Sequence, residues 1–194
     1  MARADLNLPN AISALRLVLA PVLLLLAHER ASRAFLLVLC VSLVSDIVDG
    51  KLARRLKLQS ELGAALDSWG DFATYMLAPV CAWWLRPAFV RSEAPFFVAV
   101  VASYTLPVVI GFVRYRRLTS YHTRAAKLSA YAVGAATVVI FAGGSAWPFR
   151  LATALLVYAE VEEILMTLTL RRWHANVPDL RAARALRRAE DAAR

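Results

Sequence analysis

Cysteine is scarce. The 194 residues hold two, Cys40 and Cys81, each inside an apolar run. That excludes a disulfide framework and a cysteine-based zinc site, and reads both thiols as small buried hydrophobes. Charge is missing over long stretches: residues 94–113 and 128–149 contain none. Acid is scarce too, with 14 Asp and Glu against 23 Lys and Arg, a net charge of +9. The excess base is divided among short loops rather than gathered on one soluble face, which excludes a nucleic-acid-binding surface. No cleavable leader is legible, because Arg16 interrupts the first apolar stretch and no small-x-small site ends it. The first helix is therefore expected to be retained. No internal repeat, low-complexity tract or second domain is apparent.

What is present is apolar surface. Hydrophobic residues make up 60% of the chain, where a soluble domain holds about half. A water-soluble core of this size does not bury that much, and runs of about 20 apolar residues suffice to cross a bilayer as a helix. The expected fold is one all-α integral membrane domain over residues 1–194. It has six transmembrane helices, a short N-terminal polar segment and a basic C-terminal amphipathic helix. The spans are expected at about 10–27, 33–55, 61–86, 94–115, 124–145 and 148–171. In the tail, Leu180, Ala183 and Leu186 share one side and Arg181, Arg184, Arg187 and Arg188 the other. Arg3, Lys51, Arg54, Arg55, Lys57, Arg114, Arg116, Arg117, Arg124, Lys127 and the tail arginines fall on one side of the membrane. By the positive-inside rule that side is cytoplasmic, so both termini face the cytoplasm from the inner membrane.

Four of the few acids stand together. Asp46-x-x-Asp49-Gly50-x-x-Ala53-Arg54 is followed, after eight residues, by Gly63-x-x-x-Asp67-x-x-x-Asp71. Carboxylates at membrane depth are costly and call for a cation or a water-filled cavity. At about 100° per residue, Asp46, Asp49, Gly50 and Ala53 share one face of the second span. Gly63, Asp67, Gly70 and Asp71 share one face of the third. The two faces are expected to meet as a four-carboxylate cage near the cytoplasmic surface. Oxygen-only donors suit hard cations such as Mg²⁺ or Mn²⁺, and four carboxylates suffice for two ions clamping a phosphoryl group. Small residues on the same faces let a ligand approach the helices.

These residues resemble the signature of the CDP-alcohol phosphotransferase family, D-x-x-D-G-x-x-A-R-x(8)-G-x-x-x-D-x-x-x-D, met here at every fixed position. The start, Asn7-Leu8-Pro9-Asn10 with Ser13 and Arg16, is similar to the family's P-N-x-x-T/S-x-x-R opening. The resemblance implies transfer of a phosphatidyl group from CDP-diacylglycerol to an alcohol, with release of CMP, by a homodimeric enzyme using Mg²⁺ or Mn²⁺. It implies that Asp46, Asp49, Asp67 and Asp71 are metal ligands and that Asp71 is the general base. Asn10, Arg16, Asp49, Gly50, Ala53, Arg54, Gly63 and Asp67 would hold the CDP-lipid, with Arg54 on the diphosphate or bracing the acids.

The acceptor is read from elsewhere. Arg114, Arg124 and Lys127 suggest a phosphate site, and glycerol 3-phosphate is the leading expectation. Serine or another amino alcohol is the alternative, as is inositol phosphate. Phe72 after the fourth aspartate and the run from Asp67 to Pro79 resemble phosphatidylserine-synthase members. Glu160, Glu162 and Glu163 are expected to pair with arginines, to form a dimer contact, or, as Glu160 and Glu163, to meet an acceptor amine. Tyr121 and His122 are placed in a surface loop. The rival from another class is a divalent-cation binding or transport protein, a reading that leaves the interleaved small residues and the basic turn unexplained.

Overall fold

The computed structural model describes residues 7–56, 58, 61–116, 121, 123–174 and 177–192. Among them the chain is all-helical, with eight helices: α1 Leu8–His28, α2 Ser32–Leu56, α3 Glu61–Leu85, α4 Pro87–Ser92, α5 Ala94–Tyr115, α6 Arg124–Phe141, α7 Trp147–Thr169 and α8 Leu180–Ala192. Three of these, α1, α5 and α6, are both long and apolar enough to cross a membrane. The other long helices carry the acids: Asp46 and Asp49 on α2, Asp67 and Asp71 on α3, Glu160, Glu162 and Glu163 on α7.

Local chemistry sets several helix ends. Asn7 caps α1, its side-chain oxygen accepting the Asn10 N–H at 2.9 Å, with proline in the first turn where no N–H is needed. Thr123 does the same for α6, accepting the Ala126 N–H at 3.0 Å. The fifth span was expected to run to about residue 145, but α6 stops at Phe141. Gly143 takes φ +86°, a left-handed turn, and a Cβ on Gly144 would stand 2.5 Å from Val139 Cγ1. Glycine is needed at both to end the helix. The six-residue α4 went unforeseen, being too short to show a period.

The chain divides into two compact units, residues 1–92 with 141–143, and residues 93–140 with 144–194. In the first, α1 packs against both α2 and α3. Ser13 and Arg16 meet Asp49 and Asp46, so α1 and α2 are antiparallel. Going up α1, Arg16 lies by Gly70, Leu23 by Cys81 and His28 by Trp84, so α1 and α3 are parallel. Cys81 is buried as expected, while Cys40 is half-buried, and both are free thiols.

In the second unit, α5 packs along α7. At their starts Arg150 clasps the buried Glu93, Nε donating to Oε2 at 2.9 Å and Nη2 to Oε1 at 2.6 Å. At their ends Tyr115 donates to the Thr167 carbonyl at 2.8 Å and Arg114 to the Leu170 carbonyl at 3.0 Å. The two helices are therefore parallel, and α6, between them in the chain, must run back. Arg150's hydrogen bonds hold the Glu93 carboxyl below its usual range, against an opposing contribution from burial. Because the folded value lies below the unfolded one, the pair stabilises above the ordinary carboxylate range, and the gain is lost as pH falls through Glu93's own value. The unfolding midpoint of Glu93→Gln should lie below wild type at neutral pH. The gap should close as pH falls below about 4, which a pH series of detergent unfolding scans measures.

The tail helix α8 docks on protein. Ala183 is fully buried with Tyr121, Met166, Leu170 and Val177. Asp179 caps α8 through the Ala182 N–H at 2.8 Å, and Glu162 accepts the Leu180 N–H at 3.2 Å. Arg187 donates to the Thr169 carbonyl at 3.1 Å, capping α7 in return. Leu186, expected on the apolar side, is 37% exposed. Tyr121 corrects its surface-loop placement: it is buried, and desolvation pushes its hydroxyl up to about 12.

Candidate functional site

The first apolar helix carries three polar residues three apart, Asn10, Ser13 and Arg16. That spacing puts them along one face, and all three are buried. Arg16 is 3% exposed, which a guanidinium tolerates only when paired. Its partners are the acids of α2. Nη1 pairs with Asp46 Oδ1, and Nη2 lies 3.5 Å from Asp49 Oδ2. Ser13 Oγ donates to the same Asp49 Oδ2 at 2.6 Å. Asp49 is buried, whereas the Asp46 side chain is 36% exposed.

Asp46 and Asp49 thus share a face of α2, as their spacing requires, but the group that meets them comes from α1. The expected cage takes its other two acids from α3. Among the described residues no group of three or more acids or other ligands converges. The side chains of Asp67, Asp71 and Arg54 lie outside the described residues. The bracing role assigned to Arg54 is filled, within what is described, by Arg16.

Helix α3 contributes a space. A Cβ on Gly70 would stand 3.3 Å from Arg16 Cζ, so glycine lets the guanidinium lie against α3 on its way to the acids. Gly70→Val should push Arg16 off its partners and cost about 1–3 kcal/mol of stability. The comparison is one of unfolding midpoints in detergent, with Gly70→Ala expected in between.

One atom bears on a cation. Asp49 Oδ1 is buried without a hydrogen-bond partner among the described residues. A carboxylate oxygen in that condition costs free energy unless something positive reaches it. The donors present are oxygens only, the set that a hard divalent ion takes, so the residues fit such an ion.

The remaining expected residues are dispersed. Gly50, Ala53 and Gly63 are half-buried on the α2 and α3 stretches that flank the acids. Arg114 caps the end of α7, also donating to the Leu168 carbonyl at 3.3 Å. Arg124 and Lys127 are exposed in the first turn of α6, and His122 lies outside the described residues. Glu160 and Glu163 are half-buried on α7, while Glu162 serves α8.

The family profile described as CDP-alcohol phosphatidyltransferase matches residues 6–171. Curated relatives include a CDP-diacylglycerol–serine O-phosphatidyltransferase of Mycobacterium bovis and two of Mycobacterium tuberculosis strains. Each is 28% identical over 127 residues, covering 66% of this chain and 43% of the relative. The chain thus spans less than half the length of the curated relatives it matches. No solved structure matches it.

Proposed function

The chain belongs to the CDP-alcohol phosphatidyltransferase family, and on that footing we propose that it transfers a phosphatidyl group from CDP-diacylglycerol to the hydroxyl of serine, releasing CMP. The observation that carries the reading is Asp49, buried in the signature, held through Oδ2 and open at Oδ1.

In this reading the acceptor oxygen forms a bond to the phosphatidyl phosphorus, the phosphorus–oxygen bond to CMP breaks, and Asp71 receives the hydroxyl proton. Asp46, Asp49, Asp67 and Asp71 would hold two Mg²⁺ or Mn²⁺ ions, which when bound supply charge neutralisation on the diphosphate and on departing CMP. Arg16 keeps Asp46 and Asp49 neutralised and oriented. Asn10, Arg54 and the small Gly50, Ala53 and Gly63 form the donor pocket.

Serine displaces glycerol 3-phosphate, the acceptor first expected. The basic cluster behind that expectation loses Arg114 to the cap of α7, the relatives carry serine in their names, and Phe72 follows Asp71. The setting is one domain in the inner membrane, crossing six times through α1, α2, α3, α5, α6 and α7, as a homodimer. The parallel α1–α3 and α5–α7 pairs, each with a connecting helix between them in the chain, support the crossings, the placement of Lys and Arg supports the orientation, and the homodimer rests on the family resemblance alone.

Purified protein with labelled CDP-diacylglycerol and Mn²⁺ should release CMP with serine and far less with glycerol 3-phosphate or inositol phosphate. Release with glycerol 3-phosphate alone overturns the acceptor. Absence of CMP release with every alcohol in the panel overturns the proposed reaction.

A further inference from the structure

We propose that Ser13 is a positioning residue for Asp49: its hydroxyl fixes that carboxylate through Oδ2 and thereby presents Oδ1 to a divalent cation. The inference rests on the transferase reading, in which Asp49 is a ligand.

The bond joins two helices. Ser13 on α1 and Asp49 on α2 are 36 residues apart, and they are 5% and 2% exposed. A serine in an apolar helix usually turns its hydroxyl back on the carbonyl four residues earlier. Pro9 offers that carbonyl at 3.2 Å. The hydroxyl has one proton to give. The Asp49 oxygen at 2.6 Å is nearer, and hydroxyl bonds to a carboxylate are shorter and stronger than those to a backbone carbonyl. The proton therefore goes to Asp49.

Its effect is to break the symmetry of the carboxylate. Free to turn, Asp49 could offer either oxygen or both. Ser13 Oγ and Arg16 Nη2 both approach Oδ2 from α1, and Oδ1 has no partner among the described residues. The carboxylate is thereby held in one orientation with one oxygen open. A partner outside the ligand set that orients a ligand is worth about 10–100-fold in metal affinity.

The test is Mn²⁺ titration of the full-length protein in detergent, followed by electron paramagnetic resonance of the free ion, with Asp49→Asn as reference. Ser13→Ala should weaken Mn²⁺ by about 10–100-fold, a larger loss than its unfolding midpoint in chelator would suggest. A packing role alone would move the midpoint and leave the affinity. Ser13→Thr and Ser13→Val form a second pair of matched shape, differing in the hydroxyl. Thr should keep the affinity and Val lose it, and this pair decides the matter if the alanine variant does not fold. Wild-type affinity in Ser13→Ala or Ser13→Val overturns the role of Ser13 while the metal reading stands. Wild-type protein with no Mn²⁺ binding that Asp49→Asn removes overturns the metal reading, and this inference with it.

Discussion

Arg16→Ala is expected to destabilise the protein by about 3–5 kcal/mol, the cost of breaking a buried charge cluster by removing one partner. Arg16 is 3% exposed and pairs with two acids. Without it, Asp49 keeps the Ser13 hydroxyl but loses its positive neighbour, and Asp46 loses the guanidinium that holds it toward α1. The loss also opens a space beside Gly70, which adds a cavity to the electrostatic cost. Arg16→Lys should recover only part. One ammonium keeps the charge, but it lacks the fork that reaches Asp46 with one nitrogen and Asp49 with the other. The quantity to follow is the unfolding midpoint in detergent. A midpoint for Arg16→Ala equal to that of wild type would show that the cluster contributes no net stability.

Asp71→Asn should lower CMP release by about 10²–10⁴-fold, the usual contribution of a positioned general base. Binding of CDP-diacylglycerol should stay close to wild type, because Asp46, Asp49 and Asp67 remain. The pattern matters more than the size. A fall in turnover with donor affinity retained marks a group acting on the acceptor. Parallel loss of both would make Asp71 a donor-binding ligand instead, and turnover within about tenfold of wild type would remove it from the proton-transfer role. The backbone of α3 supports the test, since Asp71 directly follows the glycine on which Arg16 lies.

The site was partly legible before any coordinates. The three-residue spacing of Asn10, Ser13 and Arg16 shows one polar face on an apolar helix, and the Asp46–Asp49 spacing shows another. Periodicity reports the face but not its neighbour. Nothing in the spacing says that α2's acids meet α1, because a face is a local property and a contact over 30 or more residues is not. Gly70 is similar: it reads as a small residue on the acidic face, and only packing reveals the guanidinium against it. Glu162 was expected to seek an arginine and instead caps α8, a partner 18 residues away that no period predicts.

The sequence by itself determined the chemistry-bearing motif, the apolar character and most helix limits. Each follows from residue type at short range: the left-handed turn at Gly143 favours glycine, the caps at Asn7 and Thr123 use a side-chain oxygen, and lipid exposure needs apolar runs. Only the tertiary structure decided how the charges are shared. It placed Arg16 between α2 and α3, anchored Asp49 by one oxygen, drew Arg114 onto the end of α7, and buried Tyr121 beneath α8. The physical reason is desolvation. Once a polar group leaves water it must find a partner, and which partner is within reach is a property of the packed helices rather than of the string of residues.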